Sequence, residues 1–298
     1  MNQIDSMPAL SIASATRQMM RTRLLTTALL GLFLIYTIVP LLYVAISATK
    51  TNSALFSSFG LWFASPFALF SNLKNLFTFE GGVFGRWLLN TAFYSIVSAI
   101  GATLFAAAAG YAFAKFRFRG RQALFAIVLG AIMIPQTALA IPLFLLMSKV
   151  GLVNTYMAVI LPSLVNPFGV YLMRVYAEQS VPDELLEAAR IDGAGEAGIF
   201  FGMVLRLLSP AMVTVLLLSF VTTWNNYFLP LVMLDSNRLF PLTVGLATWY
   251  QTASAGEGGQ NLFALVLTGS LVSIIPTCVL FLAMQRFWRS GLAAGSVK

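Results

Sequence analysis

The sequence predicts an all-α, polytopic membrane protein with six transmembrane helices. Two of the observations behind this prediction are compositional: 59% of the 298 residues are hydrophobic and only 9% are charged, and the mean hydropathy is +0.85. Soluble domains carry about 25% charged residues, so a chain with so few charges could not keep a large apolar core dissolved in water. The third observation is the spacing of the charges, which leaves long apolar runs between them.

Six charge-free runs are long enough to cross a bilayer, whose hydrocarbon core of about 30 Å needs roughly 20 apolar residues in a helix. These runs cover residues 24–49, 87–114, 122–148, 150–173, 207–234 and 258–285. We therefore predict a transmembrane domain over residues 24–287, with spans at about 24–48, 88–113, 123–147, 155–174, 207–233 and 262–286.

Two other charge-free runs compete for the same assignment. Ten of the 23 residues at 51–73 are polar or helix-breaking, which is typical of an outer loop with interfacial pieces. The run at 239–256 is short and contains Pro241, Gln251 and Gly256. We expect neither run to cross the membrane.

Basic residues indicate which ends of the spans face the cytoplasm. With six spans and an inner N-terminus, thirteen of the 18 Lys and Arg residues fall on inner segments and five on outer ones. Cytoplasmic loops carry an excess of Lys and Arg, whereas a span at 51–73 would place the basic segment 115–121 outside. We therefore predict a cytoplasmic N-terminal segment at 1–23, a cytoplasmic tail at 288–298, and a multi-pass protein of the cytoplasmic membrane.

The composition removes several kinds of function. The chain has no His and a single Cys, so it offers no His-based metal site, no His general base and no His-containing triad. The net charge of +8 fits basic cytoplasmic loops better than a nucleic-acid surface. No Gly-Lys pair is present, so a phosphate-binding loop of the G-x-x-x-x-G-K-[ST] type is absent. We expect no metal site and no nucleic-acid partner.

The predicted inner loop between spans four and five, residues 178–206, holds six of the ten carboxylates. Ser180 and Asp183 indicate a helix start, with Pro182 in the first turn where Pro is tolerated. Gly193 indicates the end of this helix, because Gly accepts a left-handed backbone. A second amphipathic piece follows, which carries Ile199, Phe200 and Met203. The pattern predicts a helix–turn–helix on the cytoplasmic face.

Taken by themselves, these acids also fit an ordinary solvated loop. Paired carboxylates can perform general acid–base chemistry, but each acid here has a plain role at a helix start. No nucleophile or metal ligand lies beside them in the sequence. We do not expect catalysis from this loop.

Part of the loop resembles a known motif. Glu187-Ala188-Ala189, followed after three residues by Gly193, is similar to the EAA loop of ATP-binding-cassette (ABC) import permeases. The family pattern continues after nine residues with Ile-x-Leu-Pro, where this chain has Met203-Val204-Leu205-Arg206. Because Arg206 stands in place of Pro, the pattern does not determine where the second helix ends. Asp192-Gly193-Ala194 resembles the sugar-importer version of the loop.

Three further stretches resemble carbohydrate permeases of the maltose type. They are TTWNNYFLPLVML (Thr222–Leu234), FPLTVGLA (Phe240–Ala247) and the C-terminal MQRFWRSGLAAGSVK (Met284–Lys298). The resemblance extends over nearly all of the chain after about residue 24, and it points to the smaller maltose permease subunit. It implies a type I ABC importer permease fold and a subunit that imports a sugar or related carbohydrate by alternating access.

The resemblance also implies partners and a coupling site. Such a permease pairs with a second permease, two ATPase subunits that bind ATP and Mg, and an extracytoplasmic solute-binding protein, within the lipid of a bacterial or archaeal inner membrane. This chain would itself be non-catalytic and hold no cofactor. The residues that would dock on the ATPase are Glu187, Ala188, Ala189, Arg190, Asp192, Gly193 and Ala194.

Polar residues near the end of predicted span five are candidates for the solute path. They are Ser219, Thr222, Thr223, Trp224, Asn225, Asn226 and Tyr227. Positions 219, 222, 223 and 226 are spaced i, i+3, i+4 and i+7, so we expect them on one helix face. Amides, hydroxyls and aromatic faces suit a sugar. Small polar residues also join membrane helices to each other, and similar lines occur in spans two and six, so both interpretations stay open.

Other functions fit parts of the pattern. The importer could carry another small solute, and the sequence does not identify the sugar. An ion-coupled secondary transporter commonly places ionisable groups within the bilayer, whereas the six runs contain none. A membrane-embedded enzyme would have few catalytic groups to use. Only the resemblance of the EAA loop and of the C-terminal stretch argues against an assembly scaffold.

Overall fold

The computed structural model describes residues 9–255 and 262–294, and within them the chain is helical with short connections and no strand. The first helices are α1 (Ala9–Ser47), α2 (Asn52–Ser57), α3 (Leu69–Thr78), α4 (Val83–Lys115), α5 (Arg121–Ile132), α6 (Gln136–Lys149) and α7 (Tyr156–Ser163). They are followed by α8 (Pro167–Ser180), α9 (Asp183–Ile191), α10 (Glu196–Ile199), α11 (Leu205–Leu207), α12 (Ser209–Trp224), α13 (Phe228–Met233), α14 (Leu242–Ser254) and α15 (Leu262–Ala294). A π-helical turn at Phe200–Val204 joins α10 to α11.

Long apolar helices agree with the predicted class of membrane protein. Among the described residues, four helical stretches are long and apolar enough to cross a bilayer: Thr22–Ser47, Val83–Lys115, Tyr156–Ser180 and Leu262–Gln285. Two bent pairs bring the number to six if each pair makes one crossing. These pairs are α5 with α6, and the helical stretch 196–207 with α12.

The third predicted span is broken, whereas the sequence suggested one continuous run. α5 and α6 meet at 109° across residues 133–135. Pro135 lacks an amide hydrogen, and its ring disfavours a helical conformation at Ile134. This accounts for the end of α5 at Ile132.

The fifth predicted span is interrupted as well. α12 meets the helical stretch 196–207 at 81° and ends at Trp224. The rest of the predicted span consists of a turn at 225–227 and the short helix α13. Residues of this span therefore do not share one continuous helical surface.

The core of the bundle is built around α4, which packs along α8 and α12. Its 33 residues correspond to a rod about 50 Å long at 1.5 Å per residue. Small residues keep the helices close: a Cβ built on Gly110 would lie 2.5 Å from the Cβ of Met173 on α8. Any side chain at Gly110 would therefore force the two helices apart.

The N-terminal part of α4 holds the connection between α13 and α14. Four of its side chains bond to the segment 237–242, namely Trp87, Asn90, Thr91 and Tyr94. Their i, i+3, i+4, i+7 spacing places them on one helix face. Most of their partners are backbone groups, such as the Leu239 carbonyl, which accepts from the Tyr94 hydroxyl at 2.9 Å.

Neither of the two competing apolar runs forms a candidate span among the described residues. The run at 239–256 contains α14, whose 13 residues are too few to cross a bilayer as a helix. α14 packs instead against α4 and α15. The run at 51–73 contains α2, an irregular stretch and the beginning of α3.

Both ends of the chain are more helical than the sequence suggested. α1 begins at Ala9, inside the predicted N-terminal segment, and α15 continues through the start of the predicted tail to Ala294. Residues 1–8, 256–261 and 295–298 lie outside the described part of the chain. The remainder of segment 1–23 and of tail 288–298 therefore stays a prediction.

Candidate functional site

The loop with most of the acids folds as a helix, a tight turn and a second helix. α9 covers Asp183–Ile191, and the helical stretch 196–207 follows it. Pro182 occupies the N-cap position in an extended conformation, so Ser180, expected at the helix start, instead ends α8. Asp183 and Glu184 lie in the first turn, where negative charge suits the helix dipole.

α9 ends in a Schellman motif. Gly193 has a φ of +82°, and its N–H donates to the Arg190 carbonyl at 3.0 Å. The N–H of Ala194 donates to the Ala189 carbonyl, also at 3.0 Å. These bonds pair carbonyls that a helix end otherwise leaves free. The left-handed backbone predicted at Gly193 is confirmed, and it determines the direction in which the chain leaves α9.

One face of α9 is buried in the core of this chain. Leu186 is 2% exposed and belongs to one apolar cluster with Ile199 and Val204 of the following helical stretch. Ala189 is half-buried against the same cluster. The helix is therefore anchored on this side by apolar packing.

The opposite face of α9 is open. It carries the exposed side chains of Glu184, Glu187 and Ala188. Ile191 at its end is 87% exposed, and the exposed Asp192 follows it. The exposed face of α9 thus presents an apolar side chain among carboxylates, which suits contact with another protein.

Arg190 closes the turn after α9. Its Nε donates to Glu196 Oε1 at 2.7 Å, and its Nη2 donates to Oε2 at 3.3 Å. The hydrogen bond raises the pKa of Arg190 and lowers the pKa of Glu196. Both side chains are exposed, so the ion pair fixes the conformation of the turn more than it adds to the stability of the fold. Arg190, proposed from the resemblance as a docking residue, is thus engaged within its own chain.

A salt bridge joins α9 to the C-terminal end of α4. Lys115 Nζ lies 2.8 Å from Asp183 Oδ1, with the lysine side chain 9% and the aspartate 73% exposed. The hydrogen bond from Lys115, followed by its charge, holds the pKa of Asp183 below the ordinary value. Such a carboxylate stabilises the folded contact above its ordinary pKa and loses that effect as pH falls through the lowered pKa. The link is therefore intact at neutral pH.

The same end of the bundle is tied together by a second group of charges. Arg174 Nε donates to Glu178 Oε1 at 2.9 Å, and its guanidinium lies 3.9 Å from the centre of the Phe125 ring. Arg121 lies 3.8 Å from the same carboxylate oxygen. The basic segment 115–121 and the acids of loop 178–206 thus link α4, α5, α8 and α9.

The candidate solute-path residues divide into a buried and an exposed set. Ser219, Thr223 and Trp224 are buried. Ser219 Oγ accepts from Asn166 Nδ2 at 2.9 Å, and Trp224 Nε1 donates to the Ser273 carbonyl at 3.1 Å. These bonds join α12 to the start of α8 and to α15, so they are packing contacts.

The other four residues lie in the last turn of α12 or in the break at 225–227 that follows it. Thr222 and Asn225 are exposed, and Asn226 and Tyr227 are half-buried. The expectation that position 226 shares a helix face with 219, 222 and 223 is wrong, because α12 ends at Trp224. The Asn225 amide donates to a carbonyl in the last turn of α12 at 2.8 Å. The Asn226 amide accepts from an N–H in the first turn of α13 at 3.3 Å, so both side chains stabilise the break.

Sequence reasoning missed the role of Lys115. Its partner Asp183 is 68 residues away, and no spacing pattern connects the two. The available signal was the density of basic residues at 115–121, which lie on the same predicted side of the membrane as the acids of loop 178–206.

A family model described as "Binding-protein-dependent transport system inner membrane component" matches residues 99–290. The matched region begins within α4 and includes loop 178–206, the break after α12 and most of α15. It therefore covers both groups of candidate residues.

The sequence is also similar to transport permeases of several bacteria. It is 40% identical to the arabinooligosaccharides transport system permease protein AraQ of Halalkalibacterium halodurans, over 87% of this chain and 90% of that protein. It is 31% identical to the lactose transport system permease protein LacG of Rhizobium radiobacter, over 91% and 94% of the two chains. It is 30% identical to the maltodextrin transport system permease protein MdxG of Bacillus subtilis, over 96% and 99%.

A solved structure has the same fold. A chain in the crystal structure of a bacterial ABC transporter involved in the import of the acidic polysaccharide alginate superposes with a TM-score of 0.78 at 24% identity. The match covers 96% of this chain and 99% of that chain. The expected importer permease fold is confirmed.

Proposed function

Because the chain belongs to the family of binding-protein-dependent transport system inner membrane components, we propose that it is the permease subunit of an ATP-driven ABC importer for a sugar or related carbohydrate. The relatives AraQ, LacG and MdxG are named as permeases for arabinooligosaccharides, lactose and maltodextrin. These names support a carbohydrate as the class of solute.

The main observation behind the proposal is how α9 is held in place by the rest of the chain. Leu186 anchors one face in the core, and the Schellman motif at Gly193 and the Arg190 bridge hold the turn that follows. Glu187 and Ile191 stay open on the other face. A short helix held in this way moves as one body and passes on the displacement of a docked partner.

The salt bridge at Lys115 supports a route for that displacement. α9 is linked through Lys115 to α4, whose length of about 50 Å reaches the segment 237–242 at its other end. Tilting α4 with α8 and α12 would open the passage to one side or the other. ATP binding in the partners then biases two discrete arrangements of these helices.

The residues open to a solute near α12 suit a carbohydrate. Thr222 supplies a hydroxyl, Asn225 an amide, and Tyr227 an aromatic ring that is half-buried beside them. The buried residues Ser219 and Thr223 serve helix packing instead. We place Thr222 and Asn225 on the passage and assign the buried set to the core.

The rest of the assembly follows from this role. Two ATPase subunits bind ATP and Mg and carry out hydrolysis, a second permease completes the passage, and an extracytoplasmic binding protein delivers the solute. This chain is the non-catalytic membrane subunit. The ATPases are cytoplasmic, so the coupling loop 178–206 and the basic segment 115–121 face the cytoplasm, and with six spans both termini do so too.

Charge reversal on the open face of α9 tests the proposal. Glu187→Lys should abolish the ATP hydrolysis that the solute-loaded binding protein stimulates, while the amount of permease in the membrane is unchanged. Asp235→Lys is the matched control, because it reverses an exposed acid on a loop of the opposite side. Normal stimulation in Glu187→Lys, or equal loss in both variants, would remove α9 from the mechanism.

A further inference from the structure

Four aromatic side chains form a continuous row at the connection between α2 and α3. This aromatic row consists of Trp62, Phe63, Phe67 and Phe70, and the centres of successive rings lie 6.4, 6.5 and 6.4 Å apart. The four residues are between 54% and 77% exposed, and no charged residue occurs at 51–73. A contiguous apolar surface of this kind marks a site of contact with a membrane or another protein.

Buried polar contacts hold the connection that carries the aromatic row in one position. The ammonium of Lys50, which is 1% exposed, donates to the Ser58 hydroxyl at 3.0 Å and to the Phe59 carbonyl at 2.7 Å. The Asn72 amide donates to the carbonyls of Ala48 and Lys50, both at 2.9 Å. These bonds tie both ends of the connection to the end of α1, so the aromatic row is presented by a fixed backbone.

Contacts with two spans place this connection at the depth of the membrane boundary. A Cβ built on Gly60 would lie 3.1 Å from the ring of Tyr43, which lies about 6 Å before the end of α1 at Ser47. Leu76 Cδ1 of α3 lies 3.4 Å from a Cβ built on Gly269, about 10 Å into α15. The apolar stretch of α1 has 26 residues and rises about 39 Å, which exceeds a hydrocarbon core of about 30 Å. The connection therefore lies where acyl chains meet lipid headgroups.

α3 turns an aromatic face away from the bundle. Asn72 and Leu76 are buried, and α3 packs against α4 and α15. Phe70, Lys74 and Phe77 are exposed, and their i, i+4, i+7 spacing places them together on the opposite face. Lys74 forms no ion pair with a described residue. A lysine between exposed aromatic rings is typical of a helix in a membrane interface, where the ammonium reaches the lipid phosphates.

We propose that the aromatic row, with Lys74 and Phe77 beside it, is an anchor seated in the lipid interface at the Ser47 end of α1. In the proposed topology this is the outer leaflet, and aromatic rings suit the boundary between acyl chains and headgroups. One lipid layer supplies both phosphates for Lys74 and an apolar phase for the rings, whereas a second permease would have to bring an acid as well as an apolar face. A binding protein that arrives from water would leave the four rings in water whenever it is absent.

Nitroxide accessibility distinguishes lipid from these two alternatives. In a Cys278→Ser background, spin labels are attached to Trp62→Cys and Phe67→Cys, and to Asp235→Cys as the control, because Asp235 is exposed on a loop of the same predicted side. The complete transporter is reconstituted in vesicles of phosphatidylethanolamine and phosphatidylglycerol. Oxygen concentrates among the acyl chains and a neutral nickel chelate in water, so the ratio of their collision rates measures depth. We expect a ratio at 62 and 67 several-fold above that at 235, at a depth of about 5–10 Å into the boundary between headgroups and acyl chains.

Each alternative gives its own result. Low collision rates with both oxygen and the nickel chelate at 62 and 67 would show that the second permease covers the aromatic row, and would overturn the inference. A high rate with the nickel chelate that falls when the solute-loaded binding protein is added would assign the surface to that protein, and would overturn it as well. These results leave the proposed function standing, because the anchor depends only on the membrane spans.

Quenching by brominated lipids gives an independent decision. With a bimane on Phe67→Cys, phospholipids brominated near the headgroup should quench the fluorescence more strongly than those brominated near the end of the acyl chain. Leu32→Cys is the control, because Leu32 is 70% exposed in the middle of the apolar stretch of α1, and the order should be reversed there. Absence of quenching at 67, or equal quenching by the two lipids, would overturn the inference.

Discussion

The end of α9 allows a sharp test of how the coupling loop works. Gly193 has a φ of +82°, and a Cβ added there would meet no atom within 4 Å. Gly195, two residues on, also has open space for a Cβ, but its φ is −73°. Gly193→Ala and Gly195→Ala therefore add the same methyl group to the same turn, and only the first strains the backbone.

The size of the effect follows from that strain. A left-handed backbone costs a residue with a Cβ roughly 1–2 kcal/mol. This corresponds to a shift of about 5- to 30-fold in the ratio of the capped to the unwound helix end. Asn tolerates the left-handed region better than Ala, so Gly193→Asn should fall between Gly193→Ala and the unchanged chain.

Amide hydrogen exchange measures how often the end of α9 opens, and stimulated ATP hydrolysis measures the consequence for coupling. The N–H groups of Gly193 and Ala194 are held by the Schellman bonds, so Gly193→Ala should speed their exchange by a factor in that range. It should also reduce the ATP hydrolysis stimulated by the solute-loaded binding protein. Gly195→Ala should leave both measurements unchanged. Equal behaviour of the two alanine variants would refute the role given to the helix end.

Three further predictions concern the salt bridge between α4 and α9, the membrane topology and the solute passage. Reversing the charge of either Lys115 or Asp183 should reduce uptake several-fold. Exchanging the two residues (Lys115→Asp with Asp183→Lys) should restore much of the uptake. If the exchanged pair transports no better than the single variants, the salt bridge between α4 and α9 is not used in transport. In a cysteine-free background, an impermeant maleimide added to intact cells should label a cysteine at Asp235 and not one at Arg119, and ready labelling at 119 would contradict the topology. Asn225→Leu should slow sugar uptake with the complex intact, because Asn225 is exposed on the proposed passage; dissociation of the complex on purification would assign this residue to helix packing.

Local backbone chemistry explains which features could be predicted from the sequence. The end of α9 depends on one residue, Gly193, and on bonds within five positions of it, so the pattern was sufficient. The start of α9 was displaced because Ser180 continues α8, while the extended Pro182 takes the N-cap position. The long apolar helices follow from charge-free length, which is a property of the sequence itself.

Features that depend on distant contacts or on helix continuity could not be predicted in the same way. The partner of Lys115 is fixed by the packing of α4 on α8, which no local pattern encodes. The helix face expected for position 226 assumed that α12 continues past Trp224. Proline was an ambiguous signal for the break at Pro135, because other prolines remain inside helices, at Pro40, Pro142 and Pro276.

Reconstitution of the transporter measures the central claim most directly. The chain, the second permease and the ATPases are placed in proteoliposomes, with the binding protein on the extracytoplasmic side loaded with a radiolabelled sugar that it binds. Accumulation of the sugar should require ATP on the cytoplasmic side, should continue when a protonophore collapses the proton gradient, and should be lost with Glu187→Lys. Uptake that proceeds without ATP and stops on addition of the protonophore would contradict the account and indicate an ion-coupled carrier.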